Sequence, residues 1–467
     1  MAEPKYIVLY NPISNEGHLD SWHVLFIEVL TKAGYRLIAM TSDVNGLSTK
    51  LGNKGIKLNQ QLIVESTDRS RTEGHANVDV QALKPKRGGL RQLWSDWNNY
   101  YDKSIYQGHW VQTQSRGESV SQLTSRARRW LLINIKKIID FAYKTYSARS
   151  GKRLLSNAIP SENRLAPRFF AEDINLLVAR YPGQIGLVIN LYLDSYQSDH
   201  ASWSALDMNA EVRWAGLCIT PTQEPDQGYY SLQSYRGTCF LDEAFVAAYA
   251  LRLPTKRFEF LPDITETSLS NEPTKLARDI VVASAGRKVV FMGGSIGKQK
   301  NLARWYELIA LCDAKQWFFV QIGRLNKNNM TEEDLAALAR IGRQPPSNLY
   351  IYPEYLLDER SFNDVIALSD VIFAVYRDFA RSSNMLSKAA YFKKPLLVAD
   401  DGLMGRRVKQ YQIGCTVESQ DVKAMKASLE KLHTIPNLQQ NFEIYRQDFS
   451  EVAMQSKLIS FLQNCSA

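Results

Sequence analysis

The segment GGSIGKQKN, Gly293 to Asn301, follows an apolar run and combines glycines with two lysines. Glycine allows close backbone approach to a phosphate, and a helix opening after such a turn presents unpaired amides and a positive dipole end. Gly293, Gly294, Ser295 and Asn301 would cradle a diphosphate, with Lys298 and Lys300 as point charges. The same residues also suit a plain tight turn with solvated lysines. A second segment, YRDFARSSNMLSKAAYFKKP from Tyr376 to Pro395, places Ser382, Ser383 and Asn384 where a helix opens. These are good N-cap residues, so they form either a second anion site or an ordinary cap. Lys388 could add charge there. Asp194 closes the apolar run IGLVINLYLDSY and could orient a base, hold a hydroxyl or cap a helix. No D-x-D triplet and no catalytic-zinc spacing occur, so a metal-independent site without a cofactor is expected. In such a site, helix termini and Lys298, Lys300 and Lys388 would hold the negative charge of a diphosphate. No G-x-G-x-x-G follows the first strand, which disfavours a dinucleotide-dependent oxidoreductase.

Elements of an α/β protein are needed to position these segments. KVVFMGG (288–294), WFFVQIG (317–323), LYIYPEY (349–355), VIFAVY (371–376), PLLVAD (395–400) and GCTVES (414–419) read as buried strands separated by helical stretches. Thr331 and Asp334 have the spacing of a capping box opening one of those helices. Strands apolar on both faces and alternating with helices predict a parallel sheet covered on both sides. The N-terminal half begins likewise, with strands at 5–12 and 35–43 around a helix at 20–33, and resumes at 185–196, 211–221 and 237–243. FEFLPDIT (258–265) leads to a link, a helix at 272–285 and a final helix near 440–463. The expectation is two doubly wound, Rossmann-like domains facing a cleft. They would comprise an N-terminal domain at 1–265 interrupted at about 65–160, a C-terminal domain at 286–435, and a segment at 436–467 packing across the junction.

At 467 residues, with 45% apolar and 22% charged residues, the composition is that of an ordinary globular protein of two domains. Five scattered cysteines without a C-x-x-C pair read as free thiols. The net charge of +9 is local: residues 84–153 hold 15 Lys and Arg against 4 Asp and Glu. Within them, 123–147 forms an amphipathic helical pattern accompanied by Trp94, Trp97, Trp110 and Trp130. This insertion suits an anionic membrane surface or a core-packed helix; nucleic acid ranks last, because no nucleic-acid module accompanies it. MAEPKYIVLYNP enters a strand without a signal-peptide pattern, so a cytoplasmic location is expected, with peripheral attachment to the inner membrane face as an option.

Residues 288–414 resemble the donor domain of GT-B glycosyltransferases, family 4 in particular. Gly294 and the pair Lys300-Asn301 match that family's strand-end glycine and its lysine pair, with Ser295 where an arginine is usual. Pro353-Glu354-Tyr355, Ser369-Asp370-Val371 through Tyr376, and Ala389 through Ala399 follow in the family's order. Ala380 and Lys388 stand where many members carry paired glutamates. The resemblance implies transfer of a sugar from a nucleotide-diphosphate donor to a hydroxyl, as in glycan or lipid-linked glycan assembly. The donor would sit between Gly293–Asn301 and Tyr376, Ser382, Ser383, Asn384 and Lys388. Gly17-His18 is similar to the Gly-His of several inverting families, which implies His18 as the base that deprotonates the acceptor, with Asp194 as its helper; His18 also suits a surface or capping role. A non-catalytic homologue acting as scaffold or activating partner, and a sugar-nucleotide epimerase, stay open beside this reading.

Overall fold

The computed structural model describes residues 5–13, 18–59, 61–67, 165–196, 198–204, 206, 209, 211–356 and 358–466, with residues 18–21 described by backbone alone. The basic segment 84–153 and its expected amphipathic helix lie outside the described residues, as does Gly17. The rest forms two compact units, one of residues 5–67, 165–264 and 447–466, the other of residues 265–446.

In the first unit the strands are β1 (Tyr6–Asn11), β2 (Leu37–Thr41), β3 (Leu62–Ser66), β4 (Ile185–Asn190), β5 (Trp214–Cys218), β6 (Tyr235–Phe240) and β7 (Arg257–Phe260). They form one sheet in the order β3-β2-β1-β4-β5-β6-β7, and every pairing is parallel. The helices are α1 (His18–Lys32), α2 (Val44–Asn53), α3 (Pro167–Arg180), the short α4 (His200–Ser204) and α5 (Ala244–Arg252). One face of the sheet carries an aromatic cluster in which Trp203 stacks on Trp214 at 5.6 Å, with Tyr229 and Tyr235 edge-on or tilted around them.

The second unit runs α6 (Lys275–Ser284), β8 (Lys288–Gly293), α7 (Leu302–Leu311), β9 (Trp317–Ile322), α8 (Glu332–Arg343), β10 (Leu349–Tyr352), α9 (Glu359–Leu368), β11 (Val371–Ala374), α10 (Met385–Phe392), β12 (Leu396–Ala399), α11 (Gly402–Tyr411), β13 (Gly414–Val417), α12 (Val422–Lys431) and α13 (Leu438–Asp448). Its sheet, β10-β9-β8-β11-β12-β13, is also wholly parallel, and its strand order reverses between β8 and β11. The continuous apolar strands follow from burial on both faces: every residue of β9 and β11 is buried. Trp305 of α7 seats against Phe319 and Phe373, with ring centroids 5.2 and 4.8 Å away. Truncating it to alanine would cost about 3–5 kcal/mol.

The expected final helix near 440–463 is two helices, α13 and α14 (Glu451–Ser466). The break falls at Ser450, whose Oγ accepts the Ala453 N–H at 3.0 Å, as an N-cap does. Met454, Leu458, Phe461 and Leu462 of α14 join the core of the first unit, so the chain ends on the sheet with which it began.

Candidate functional site

In an open parallel sheet, ligands bind beyond the carboxyl ends of the strands where the order reverses. In the second unit that point lies between Gly293 at the end of β8 and the segment after Ala374 of β11. The turn leaving β8 is shaped by two glycines. Gly294 has φ +100°, and Gly323, at φ +135° after β9, sits so close that a Cβ there would lie 1.8 Å from the Gly294 carbonyl oxygen. Only glycine lets these strand exits lie side by side. Lys298–Lys300 then makes one 3₁₀ turn, and Asn301 takes a left-handed conformation before α7.

The two loops chosen from sequence meet here. Lys300 Nζ donates to the Tyr376 hydroxyl at 2.6 Å, lies 4.1 Å from that ring's centroid and sits beside Gly294. It has no other protein acceptor and no carboxylate among the described residues. Tyr376 itself is buried, held edge-on by Phe379 at 5.0 Å. Ser295 and Lys298 are exposed on the turn. Within one turn there are therefore two lysines, one anchored by an uncharged phenol and one in solvent, an arrangement suited to an anionic ligand.

Other expected residues are placed differently. Asn301 is fully buried, and its Nδ2 donates to the Ser419 carbonyl at 2.6 Å, fastening the turn to the loop after β13. The amides expected free at the start of α7 are partly taken: the Ala303 N–H donates at 3.0 Å to Asp334, a buried carboxylate of the α8 capping box. Asn384 is the N-cap of α10 but makes no side-chain cap bond, whereas Ser383 Oγ accepts the Met385 N–H at a long 3.4 Å. Ser382 Oγ accepts from Arg407 at 3.3 Å. Among the described residues, no hydrogen bond joins 382–384 to the glycine turn.

Lys388 departs furthest from expectation. It is fully buried, and its ammonium donates to the Glu266 carbonyl (2.8 Å), Glu359 Oε2 (3.0 Å) and Asn363 Oδ1 (2.5 Å). An ammonium has three hydrogens, and all three are committed. Desolvation lowers its pKa, against the opposing pull of Glu359. In place of diphosphate contact, Lys388 ties α10 to α9 and to the link.

In the first unit, His18 opens α1, and its side chain lies outside the described residues. Asp194 receives the Ile219 and Thr220 amides, one on each oxygen, both at 2.7 Å. Cys218 Sγ lies 3.5 Å from the same carboxylate, and burial, reinforced by that charge, pushes its thiol pKa up. Asp194 thus holds the exit of β5 where a catalytic helper was expected. Among the described residues no group of three His, Cys, Asp or Glu side chains is placed to hold a metal ion, and no helix is long and apolar enough to cross a membrane.

Sequence reasoning missed Gly323, Asp334 and Arg377 as parts of this site. Gly323 had a readable signal, a glycine ending the strand next to β8. Arg377 stands beside Tyr376 in the quoted segment, but its partners come from two other elements.

Two parallel doubly wound units in one chain define the GT-B architecture. Neither a family model nor a curated protein sequence matches this chain, but solved structures do. They include a glycosyltransferase from Rickettsia africae ESF-5 (10% identity, 99% of each chain covered, TM-score 0.57) and sucrose-phosphate synthase from Thermosynechococcus elongatus (12%, 98% of each, 0.57). Anabaena HepE, solved with UDP and glucose, is a third (11%, 98% of this chain and 99% of that one, 0.54). At such identities the likeness establishes the fold.

Proposed function

We propose that this protein transfers a sugar from a nucleotide-diphosphate donor to a hydroxyl acceptor, a glycan or lipid-linked glycan under assembly. The observation carrying this is the meeting of the two loops at the reversal of the second sheet. There Lys300, lacking a carboxylate partner, lies beside Gly294 and Tyr376. Gly293, Gly294 and Ser295 offer the close backbone approach, Lys298 and Lys300 the charge, and Tyr376 the anchor. Fixed cations aimed where negative charge grows on a leaving diphosphate lower the barrier without reorganisation, and this role needs no metal. That Anabaena HepE has the same fold and was solved with UDP and glucose supports a nucleotide sugar as donor. His18 is the proposed base. Ser382, Ser383 and Asn384 stay on the donor side, whereas Lys388 and Asp194 leave the proposal because their polar atoms are committed elsewhere. Peripheral attachment to an anionic membrane through residues 84–153, at the inner face, belongs to the same proposal.

The test is a thermal-shift screen against nucleoside diphosphates, because a ligand of the folded state raises Tm by mass action. One or more of UDP, GDP and ADP should raise Tm by several degrees at millimolar concentration; a flat response to all three refutes donor binding.

A second reading has its own observation. Lys388, which the family 4 resemblance sets where many members carry a glutamate, is sealed in a structural network, and this would suit a non-catalytic homologue acting as scaffold or activating partner. Release of free nucleotide from a panel of sugar nucleotides, with and without glycan acceptors, separates the two. Nucleotide binding without turnover favours the homologue.

A further inference from the structure

Arg377 follows Tyr376, and no contact with the donor is assigned to it above. Its backbone N–H donates to the Gln299 carbonyl at 2.9 Å, and its Nη2 donates to the Lys298 carbonyl at 3.0 Å and to Asp334 Oδ2 at 2.8 Å. Asp334 is fully buried. Besides Arg377 it accepts the Ala303 N–H at 3.0 Å, the Thr331 N–H at 3.2 Å and the Thr331 hydroxyl at 2.7 Å. One carboxylate therefore gathers the starts of α7 and α8, and one guanidinium hangs the 298–300 turn from it.

We propose that Arg377 is a positioning residue: paired with Asp334, it holds the Lys298–Lys300 turn, and with it the Lys300 ammonium, in the conformation that receives a nucleoside diphosphate. This rests on the donor reading given above. The 298–300 turn is a single 3₁₀ turn flanked by Gly297 and the left-handed Asn301, closed from within by the Lys300 N–H to the Gly297 carbonyl at 3.0 Å and, at a long 3.4 Å, the Asn301 N–H to the Lys298 carbonyl. From outside the turn, the Arg377 side chain donates to the Lys298 carbonyl and the Arg377 backbone amide to the Gln299 carbonyl, and a side-chain substitution removes only the first. Nη2 alone bridges the carbonyl and the carboxylate with its two hydrogens, whose directions the guanidinium plane fixes and a freely rotating ammonium matches only in part. Ordering the turn beforehand removes a conformational cost that the ligand would otherwise meet on binding.

Arg377→Met leaves Asp334 with three donors from Ala303 and Thr331, so the chain is expected to fold; Arg377→Gln serves if it does not. Two readouts are needed, namely hydrogen exchange of the Lys300, Asn301 and Arg377 amides without ligand, and calorimetric titration with UDP, GDP and ADP. The expected result is exchange at least tenfold faster at those amides, with β8 and β9 unchanged. Affinity for the nucleotide should fall at least tenfold, and Arg377→Lys should recover part of both. Unchanged exchange overturns the inference: with lost affinity it makes Arg377 a direct phosphate ligand, and without it a bystander. Faster exchange with unchanged affinity overturns it too. A wild-type chain that binds none of the three nucleotides refutes the donor reading and, with it, the ligand half of this inference, while the exchange data still decide whether the tether exists.

Discussion

The two sheets reverse strand order at equivalent points, β1 beside β4 and β8 beside β11, yet the strand exits there are finished in opposite ways. In the first unit, polar side chains fold back onto nearby backbone. Asn11 Oδ1 accepts the Ile13 amide at 3.2 Å, Asn190 Oδ1 accepts the Tyr192 amide at 3.1 Å, and Asp194 takes two amides beyond β5. The two asparagine bonds are short-range Asx turns, and Asp194 answers its charge with amides 25 and 26 residues further along the chain. In the second unit the exits are joined across the sheet by cations: Lys300 to Tyr376, and Arg377 to Lys298 and Asp334. Among the described residues at these exits, the shared reversal of strand order therefore carries lysines without a carboxylate partner in the second unit and not in the first. A fold supplies the position, and the residues at the strand ends decide whether anything is bound there.

Lys300 and Lys388 make the same contrast at the level of single residues. Lys300→Ala removes a charge whose only acceptor among the described residues is a phenol, so the fold should be untouched while the proposed turnover of a sugar nucleotide falls roughly a hundredfold, the scale of one lost transition-state donor. Steady-state rates with circular dichroism on the same sample measure this, and near-normal turnover breaks the contrast. Lys388→Met should do the reverse. It strands Glu359 and Asn363, and urea unfolding should show a loss of about 2–3 kcal/mol, tempered by the part exposure of Glu359. Nucleotide affinity of the folded variant should stay within about twofold, a difference worth only ~0.4 kcal/mol. A large affinity loss with normal stability would return Lys388 to the donor site.

Asp194→Ala sharpens the comparison from the first unit. Two amides lose a charged acceptor, and the half-buried site lets water replace it in part, so a stability loss of about 1–2 kcal/mol is expected. Turnover per folded molecule should be unchanged. A rate loss without a stability loss would restore a catalytic role.

The fold was legible because its signals are local and repeated. WFFVQI and VIFA, apolar almost throughout, are strands buried on both faces, and Thr331 with Asp334 forms the capping box that its spacing announces. The glycine turn and Tyr376 were legible as chemistry at strand ends. What did not show in the sequence is where each charged side chain finds its partner. Lys388 lies 29 residues from Glu359 and 122 from Glu266, and Arg377 lies 43 from Asp334. Only packing decides that the first lysine is buried and answered while Lys300 is not. Ser450 shows the same limit at small scale, since a serine inside an amphipathic run breaks the helix only if its hydroxyl caps the next one.

The smallest expected effect concerns pH and belongs to Lys388 alone. Burial lowers its folded pKa below the ordinary lysine value of 10.5, while in the unfolded chain it titrates at that value. Between the folded pKa and 10.5 the unfolded chain binds more protons than the folded one, so this residue's contribution makes stability rise with pH across that window. Below the window both states are protonated, and the cost of burying the charge is present in full. Methionine has no such titration. The stability gap between wild type and Lys388→Met should therefore widen as pH increases toward 10.5, by a fraction of the neutral-pH gap, and stay flat below the folded pKa. Urea midpoints of both proteins from pH 7 to 10 measure it. A gap that narrows with rising pH would mean that Glu359 and Asn363 hold the ammonium more strongly than desolvation disfavours it. That outcome would make the pocket around Lys388 a stabilising charge site like the Arg377–Asp334 tether.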